Sequence, residues 1–260
     1  MSLLSVENLG IDFGGVRAVD GVSFDADPGK VVSVIGPNGA GKTTLFNMVS
    51  GVYRPGRGKV MLDGKEVTGL PPHRLAELGL SRTFQNLQVY LHMTALENVM
   101  AGRHLGERCS VLADLLNLPS SRRRTRETEE IAHRLLAMVG LEKVGPIMAS
   151  SLSYGALKRL EIARALAANP RLLLLDEPAA GCNAVETEEI DKLIADISSG
   201  GVAILLVEHD MKLVMKISSH IVVLDHGEKI AEGPPALVSK DAKVIEAYLG
   251  PHADDAHALG

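Results

Sequence analysis

The chain has 260 residues, of which 46% are hydrophobic and 23% charged, a balance typical of a globular chain that builds its own core. Its formal net charge of −5 excludes a general electrostatic attraction to nucleic acid. Two cysteines, Cys109 and Cys182, are too few for the disulfide framework of a small secreted protein, and we expect both to be reduced thiols.

The beginning of the sequence lacks a basic segment followed by a long apolar run, so we expect no signal peptide. The most apolar stretches are far too short to cross a bilayer. If the protein works at a membrane, another chain must therefore supply the membrane-spanning part.

The first predicted strands are short, punctuated by glycine, and alternate between apolar and polar residues. They lie at Leu4–Leu9, Val16–Phe24 and Lys59–Leu62. This alternation is typical of strands with one buried face. The sequence therefore predicts a small antiparallel sheet in the N-terminal part of the chain.

Four further segments are apolar runs bounded by turns, which is the pattern of fully buried strands. They are Val31–Ile35, Leu172–Leu175, Ala203–Val207 and Ile221–Leu224. Helical patterns alternate with several of them. This order predicts an α/β fold whose mostly parallel sheet is covered on both faces.

The middle of the chain is predicted to be helical. Thr94 and Glu97 have the spacing of a capping box, which opens a helix. From about Ser120 to Val139, apolar residues recur at helical spacing within a charged segment. We therefore predict one domain over residues 1–250, with a helical lobe inserted at about 90–150, and a flexible tail at 251–260.

A phosphate-binding loop follows the strand Val31–Ile35. Residues 36–43 match the pattern G-x-x-x-x-G-K-[ST] and precede a helical stretch, which is the context that the pattern requires. Lys42 is expected to reach the β- and γ-phosphates, and the Thr43 hydroxyl to hold Mg²⁺. The predicted ATP contacts of this segment are Gly36, Asn38, Gly39, Gly41, Lys42, Thr43 and Thr44.

A pair of carboxylates ends the strand Leu172–Leu175. Asp176 and Glu177 stand at its carboxyl end, the edge at which open α/β sheets bind ligands. We expect Asp176 to hold Mg²⁺ through water, and Glu177 to orient or deprotonate the attacking water. Two solvated acids at a strand end are the alternative interpretation.

Three more segments, in this order, complete a recognisable set. Thr83–Asn86 resembles the glutamine loop of the ATP-binding-cassette family, Leu152–Ala156 its signature sequence, and Glu208–Asp210 its switch histidine. The resemblance extends from about Leu3 to Gly250. It implies a P-loop ATPase fold, ATP and Mg²⁺ as cofactors, and a head-to-tail dimer of two ATPase subunits.

The resemblance also implies roles for individual residues. His209 would sense the γ-phosphate, and Gln85 would contact Mg²⁺ or the attacking water. Ser153 and Gly155 would bind the ATP held by the partner subunit, and Phe13 would stack on adenine. The plainer alternatives are a polar strand edge for the histidine, a surface amide for the glutamine, a helix cap for the serine, and a core position for the phenylalanine.

The sequence departs from the family pattern at three positions. Tyr154 and Ala156 replace the usual glycine and glutamine of the signature, and Asn183 replaces an aspartate in the loop after Glu177. Ala156 has no side chain that can hydrogen-bond, so we expect a weaker hold on the partner's nucleotide. The hydrolytic set of Lys42, Thr43, Asp176, Glu177 and His209 is intact.

Within the family, the chain is most similar to the ATPase subunits of branched-chain amino acid importers. Pro178–Asn183, Arg159–Arg164, the ending Val244–Gly250 and an insertion at about 103–126 carry this resemblance. It implies transmembrane permeases and a second ATPase subunit, identical or different, as partners, and indirectly an extracytoplasmic solute-binding protein. It also implies a cytoplasmic location, peripheral on the inner face of the cell membrane.

Other functions stay open on the sequence alone. A cassette protein acting on ribosomes or DNA usually has two cassettes or a long coiled-coil insertion, which this chain lacks. A nucleotide-dependent interaction module without hydrolysis would normally lack Glu177 or His209. An importer of another solute, such as urea or amides, would have the same motifs, since the ATPase subunit does not touch the cargo.

Overall fold

A computed structural model of the chain describes residues 2–103 and 119–249. The predicted tail at 251–260, Cys109 and part of the predicted insertion at about 103–126 lie outside these residues. The strands are β1 (Leu4–Phe13), β2 (Val16–Ala26), β3 (Val31–Ile35), β4 (Arg57–Leu62), β5 (Lys65–Glu66), β6 (Leu80–Arg82), β7 (Leu172–Asp176), β8 (Ala203–Val207), β9 (His220–Asp225) and β10 (Glu228–Gly233). The helices are α1 (Lys42–Val49), α2 (Pro72–Glu77), α3 (Ala95–Ala101), α4 (Pro119–Met138), α5 (Tyr154–Leu166), α6 (Ala184–Ser199), α7 (Met211–Ile217), α8 (Pro235–Val238) and α9 (Ala242–Leu249).

An antiparallel sheet occupies the N-terminal part of the chain, as predicted. Its strand order is β2-β1-β4-β5. Strand β1 continues four residues beyond the predicted end at Leu9. Asn8 has a left-handed φ of 48°, and the register shifts between Val6 and Leu9. Such a bulge interrupts the alternation on which the sequence prediction depends.

The second sheet is mostly parallel, which confirms the predicted α/β class. Its order is β10-β9-β3-β8-β7-β6, and only β9 and β10 pair antiparallel. Every residue of β3, β7 and β8 is buried, as expected for β-branched and leucine-rich strands at the centre of a sheet. Strands β6 and β10 were missed because they are edge strands and are too short or too polar to form an apolar run.

Among the described residues, three hydrophobic clusters pack on the parallel sheet, and the smallest contains Ile35 of β3 and Val223 of β9. Alternate residues of a strand point to opposite faces, so Val32 and Val34 of β3 belong to the core that contains α1 and the antiparallel sheet. Leu173 and Leu175 of β7 belong to the core formed with α5 and α6. The sheet is therefore covered on both faces.

The helices α3, α4 and α5 pack against one another and form the helical lobe that the sequence predicts. Helix α3 begins with the predicted capping box: the Thr94 side chain accepts from the Glu97 N–H, and the Glu97 carboxylate accepts from the Thr94 N–H. Two 3-10 turns at Glu142–Val144 and Ala149–Ser151 connect α4 to α5. Among the described residues, no helix is both long and apolar enough to cross a membrane.

Candidate functional site

The loop between β3 and α1 is shaped by two glycines. Gly36 follows β3 directly, and a Cβ there would lie 2.1 Å from the carbonyl oxygen of Leu224. Gly41 precedes α1 with a φ of 97°, and a Cβ there would lie 2.6 Å from the Ala18 carbonyl oxygen. Only glycine accepts both the conformation and the close approach, so the loop can wrap tightly in front of the N-terminus of α1.

Lys42 is folded back into this loop. It is 6% exposed, and its Nζ donates to the carbonyl oxygens of Gly36 at 2.6 Å and Pro37 at 2.8 Å. Burial lowers the pKa of Lys42, while the nearby Glu177 carboxylate acts in the opposite direction. A buried ammonium group surrounded by oxygen acceptors and a helix N-terminus is suited to bind a polyanion.

A cavity of about 590 Å³ lies in front of the loop. The chain brings the loop together there with three residues from distant segments, Gln85, Glu177 and His209. The full lining is Val16, Arg17, Ala18, Asn38, Gly39, Ala40, Gly41, Lys42, Thr43, Thr44, Gln85, Glu177, His209 and His226. Of the predicted site residues, Phe13, Gly36, Ser153, Gly155 and Asp176 are outside this lining.

Glu177 is the centre of a hydrogen-bonded cluster in the cavity. Its Oε1 lies 2.7 Å from His209 Nε2, and its Oε2 accepts from Gln85 Nε2 at 3.3 Å. The backbone of Glu177 has a φ of 50°, which non-glycine residues rarely adopt and which is frequent at functional sites. Both carboxylate oxygens are thus oriented by side chains that the sequence analysis assigned to the same site.

Glu208 connects the two loops that carry Glu177 and His209. It is 5% exposed, and its carboxylate accepts from the N–H groups of Ala179 at 3.1 Å and His209 at 3.0 Å. Burial raises the pKa of Glu208, and these backbone hydrogen bonds lower it. The sequence analysis gave this residue no role, because the Ala179 N–H that donates to it belongs to a loop 29 positions away.

Asp176 is buried beneath the cavity and forms an ion pair with Arg82. Its Oδ2 lies 3.0 Å from Arg82 Nη2, and the two side chains are 5% and 8% exposed. Burial raises the pKa of Asp176, and the Arg82 guanidinium opposes that shift. Arg82 also donates to Asn47 Oδ1 at 2.7 Å and Ser50 Oγ at 2.6 Å, so it ties β6 to α1 and to the end of β7. Nothing in the sequence pattern singled out this arginine.

The Phe13 ring lies at the edge of the antiparallel sheet, outside the cavity. It is 45% exposed and packs edge-to-face on Tyr53, with ring centroids 5.4 Å apart at 71°. Val16, its partner across the β1–β2 turn, is 68% exposed and does line the cavity. An aromatic surface is therefore available next to the cavity mouth, and its contact with adenine stays a prediction.

The signature residues begin α5, away from the cavity. Ser153 is the helix N-cap, and its Oγ accepts from the Ala156 N–H at 3.3 Å, which is the cap that the plainer interpretation expects. The Gly155 N–H donates to Glu186 Oε1 at 3.3 Å. Asn183 caps α6 and shares a capping box with Glu186, so the departure at Asn183 preserves a helix start in contact with the signature.

His226 and Arg17 also line the cavity and were not predicted. His226 lies in the turn between β9 and β10 with a φ of 44°, and its side chain is 96% exposed. Arg17 follows the β1–β2 turn and pairs with Asp20 at 2.7 Å. Both add side-chain hydrogen-bond donors to the cavity wall, and no motif marks either residue.

No group of three or more His, Cys, Asp or Glu side chains suited to a metal ion occurs at residues 2–103 and 119–249. Of the three residues predicted to hold Mg²⁺, Thr43 and Gln85 line the cavity, whereas Asp176 lies outside its lining. Such a sparse set of hard ligands suits Mg²⁺ that arrives with a nucleotide, because Mg²⁺ keeps waters and phosphate oxygens as most of its ligands.

Comparison with known proteins gives two family matches. Residues 19–180 match the family described as ABC transporter. Residues 228–251 match the family described as branched-chain amino acid ATP-binding cassette transporter.

Several curated proteins are similar over nearly their whole length. The chain is 47% identical over 249 residues to the high-affinity branched-chain amino acid transport ATP-binding protein BraF of Pseudomonas aeruginosa, covering 95% of this chain and 98% of that protein. It is 44% identical, with the same coverage, to LivG of Escherichia coli, which has the same description. It is 34% identical to the lipopolysaccharide export system ATP-binding protein LptB of Haemophilus influenzae, covering 96% of this chain and 98% of that protein.

Solved structures match the fold as well. A nucleotide-free ATP-binding cassette from an ABC transporter superposes with a TM-score of 0.83 at 34% identity, covering 96% of this chain and 100% of that one. A cassette in its ADP conformation superposes with a TM-score of 0.83 at 33% identity, covering 96% and 99%. A dimeric cassette in a post-hydrolysis state, bound to ADP and phosphate, superposes with a TM-score of 0.73 at 26% identity, covering 89% and 98%.

Proposed function

Since this chain belongs to the ABC transporter family of ATP-binding cassettes, we propose that it hydrolyses ATP to drive the import of branched-chain amino acids through partner permeases. The observation that carries the proposal is the cluster of Gln85, Glu177 and His209 along the phosphate-loop cavity. That cluster supplies a base, its orienting partners and a phosphate site in one place.

ATP would enter the cavity with its phosphates against the loop. The N-terminus of α1 and the loop N–H groups attract the anion, and Lys42 exchanges the carbonyl oxygens of Gly36 and Pro37 for phosphate oxygens. The other proposed contacts of the loop all line the cavity: Asn38, Gly39, Gly41, Thr43 and Thr44. Phe13 stands at the mouth, where its exposed ring can stack on adenine.

Hydrolysis would use Glu177 as the general base. Its carboxylate, held by His209 and Gln85, takes the proton of a water that attacks the γ-phosphate. Once the His209 ring turns away from Glu177, its Nε2 can hydrogen-bond the transferred group instead. In this arrangement the two side chains orient the base before any nucleotide arrives.

Magnesium would be held by Thr43, Gln85 and, through water, Asp176. When bound with ATP it neutralises phosphate charge and orients the γ-phosphate. Asp176 is paired with Arg82 at 3.0 Å, so an interposed water is the route by which its carboxylate can reach the metal. The Thr43 hydroxyl is exposed to the cavity and needs no rearrangement.

The working unit would be a head-to-tail dimer with a second ATPase subunit. Ser153 and Gly155 lie at the N-terminus of the 13-residue helix α5 and outside this chain's own phosphate cavity. A helix start of this kind binds anions, and a second subunit can supply the ATP. The dimeric relative bound to ADP and phosphate supports this assembly.

The permeases would dock in a groove of about 310 Å³ between β6, α2 and α5. Phe84 and Tyr90 line this groove and are 44% and 50% exposed, and the neighbouring Leu91 and Met93 are also exposed. Clustered exposed apolar side chains are typical of protein interfaces. This docking would place the chain on the inner face of the cell membrane. An extracytoplasmic binding protein would deliver the solute to the permeases from the opposite side.

The solute is proposed from likeness to relatives. Proteins named for branched-chain amino acid transport reach 47% and 44% identity, whereas the lipopolysaccharide export protein reaches 34%. The match of residues 228–251 to the branched-chain amino acid family supports the same choice.

Affinity capture tests the assembly. The tagged chain carrying Glu177→Gln is isolated from its own membranes with Mg-ATP, and the co-purifying proteins are identified by mass spectrometry. We expect multi-spanning permeases and an ATPase subunit, and fewer of them with Lys42→Ala as the nucleotide-free control. Recovery of ribosomal or DNA-bound proteins without a permease would contradict the proposal.

A further inference from the structure

Two charged side chains on one face of α5 bind the backbone of a single residue. Glu161 Oε1 accepts from the N–H of Gln88 at 3.2 Å, and Arg164, three positions further along the helix, donates to the Gln88 carbonyl oxygen. Residues three apart lie side by side on a helix surface. Both polar backbone groups of Gln88 are therefore occupied by α5.

The same pair interacts with the segment at two other points. The backbone of Phe84, at the other end of the short loop that contains Gln85, also lowers the pKa of the Glu161 carboxylate. The Arg164 guanidinium lies 4.6 Å from the ring centroid of Tyr90, a distance at which a cation is attracted to an aromatic face. The segment 84–90 is thus held to α5 by contacts at Gln88 and Tyr90.

Glu161 is too deeply buried to be an ordinary surface acid. It is 6% exposed, and burying a carboxylate is costly unless hydrogen bonds and charges compensate it. Burial raises the pKa of Glu161, while the two loop N–H groups, Lys158 and Arg164 oppose the shift. A buried carboxylate that accepts a hydrogen bond from a loop backbone fixes the position of that loop.

We propose that Glu161 and Arg164 are positioning residues that lock the loop of Gln85 to the helix that begins at Ser153. Neither touches the reacting atoms; they act through Gln85, whose Nε2 donates to Glu177. The inference rests on the proposed function, because it gives Gln85 a catalytic setting. A displacement of α5 at Ser153 is then transmitted through these two side chains to Gln85, and from Gln85 to Glu177.

Kinetics of the transporter purified through a tagged permease test the inference. In Glu161→Ala we expect kcat for ATP to fall about tenfold, because displacing a positioned group by about 1 Å can cost as much as 10²-fold. The KM for ATP should stay unchanged, since the phosphate loop is not altered. Glu161→Gln keeps one acceptor oxygen and should recover part of the lost kcat.

Arg164→Lys provides a second variant, at a half-buried position where folding is not at risk. It keeps the charge but loses the planar fork that reaches both Gln88 and Tyr90, and we expect kcat to fall with KM unchanged. Asp191→Asn is the matched control, because Asp191 is also a buried helical acid, paired with Lys216 at 3.5 Å. It should leave kcat unchanged.

Amide hydrogen exchange supplies the readout that separates positioning from general stability. Glu161→Ala should speed exchange in segment 84–90 without changing it in β7. Unchanged kcat in both Glu161→Ala and Arg164→Lys would overturn the inference, as would an equal loss in Asp191→Asn. A wild-type complex that does not hydrolyse Mg-ATP would instead overturn the proposed function.

Discussion

His209 Nε2 lies 2.7 Å from Glu177 Oε1, although the two residues are 32 positions apart in the chain. They meet because β7 and β8 are adjacent parallel strands in which Asp176 pairs with Val207. Each side chain follows the end of its strand, so the topology of the sheet places both at one edge. The strand order therefore brings the proposed base and its histidine partner together, although each belongs to a different local motif.

Replacing Glu177 by glutamine should stop turnover and spare ATP binding. A general base typically contributes about 10²–10⁴-fold in rate, so we expect kcat to fall by at least about 10²-fold. The glutamine keeps the shape and can still hydrogen-bond His209, which preserves the cavity. Steady-state ATPase rates and equilibrium binding of labelled ATP check both parts, and normal hydrolysis by the variant would remove Glu177 from the role of base.

Replacing Lys42 by alanine should abolish measurable ATP binding. Its ammonium group is the one lysine charge among the residues that line the phosphate cavity, and in the proposed function it would donate a charged hydrogen bond to the phosphates. Lys30→Ala is the matched control, because Lys30 is exposed at the other end of the same strand, β3. Labelled ATP that bound Lys42→Ala as tightly as Lys30→Ala would place the nucleotide elsewhere.

Replacing Arg82 by methionine should destabilise the fold strongly. It leaves the Asp176 carboxylate, 5% exposed, without its cation, and breaking a buried ion pair costs about 3–5 kcal/mol. The double variant Arg82→Met with Asp176→Asn should be more stable than Arg82→Met alone, since no buried charge is left unpaired. Urea unfolding of the three proteins checks this, and a loss below about 1 kcal/mol in the single variant would contradict the account.

The difference in the free energy of unfolding between Glu161→Gln and wild type should depend on pH. Burial raises the pKa of Glu161 above its ordinary value of 4.5, so the folded chain binds this proton more tightly than the unfolded chain. The stability contributed by protonated Glu161 is fully present below 4.5 and is lost as the pH rises through the folded-state pKa. The free energy of unfolding of Glu161→Gln relative to wild type should therefore rise over that window and then level off.

Unfolding titrations of both proteins at a series of pH values measure this difference. Asp225→Asn serves as a control at a position where only part of the carboxylate is covered by protein. A difference between Glu161→Gln and wild type that stays flat with pH would mean that the carboxylate is as well solvated when folded as when unfolded.

Much of the candidate site could be predicted from local sequence, because its parts stand in short segments with fixed chemistry. The glycines around Lys42 predict a phosphate-binding loop, and the acids after an apolar run predict a strand end. The apolar runs themselves predict the buried strands β3, β7 and β8. The capping box at Thr94 was predicted correctly for the same reason, since both partners lie within one helical turn.

Contacts between distant segments could not be predicted. Arg82 and Asp176 are 94 positions apart, and Gln88 and Glu161 are 73 apart. No period or motif connects them, since their meeting depends on how α5 and β6 pack around β7. The bulge at Asn8 could not be predicted either, because a single left-handed residue disturbs the alternation of apolar and polar residues without changing the composition.

Uptake of labelled leucine tests the central claim most directly. It is measured in cells whose only copy of this chain carries Glu177→Gln and which lack other leucine uptake systems, beside cells carrying Lys30→Ala. The account predicts background uptake of leucine, isoleucine and valine with Glu177→Gln and normal uptake with Lys30→Ala. Normal leucine uptake with Glu177→Gln would contradict it.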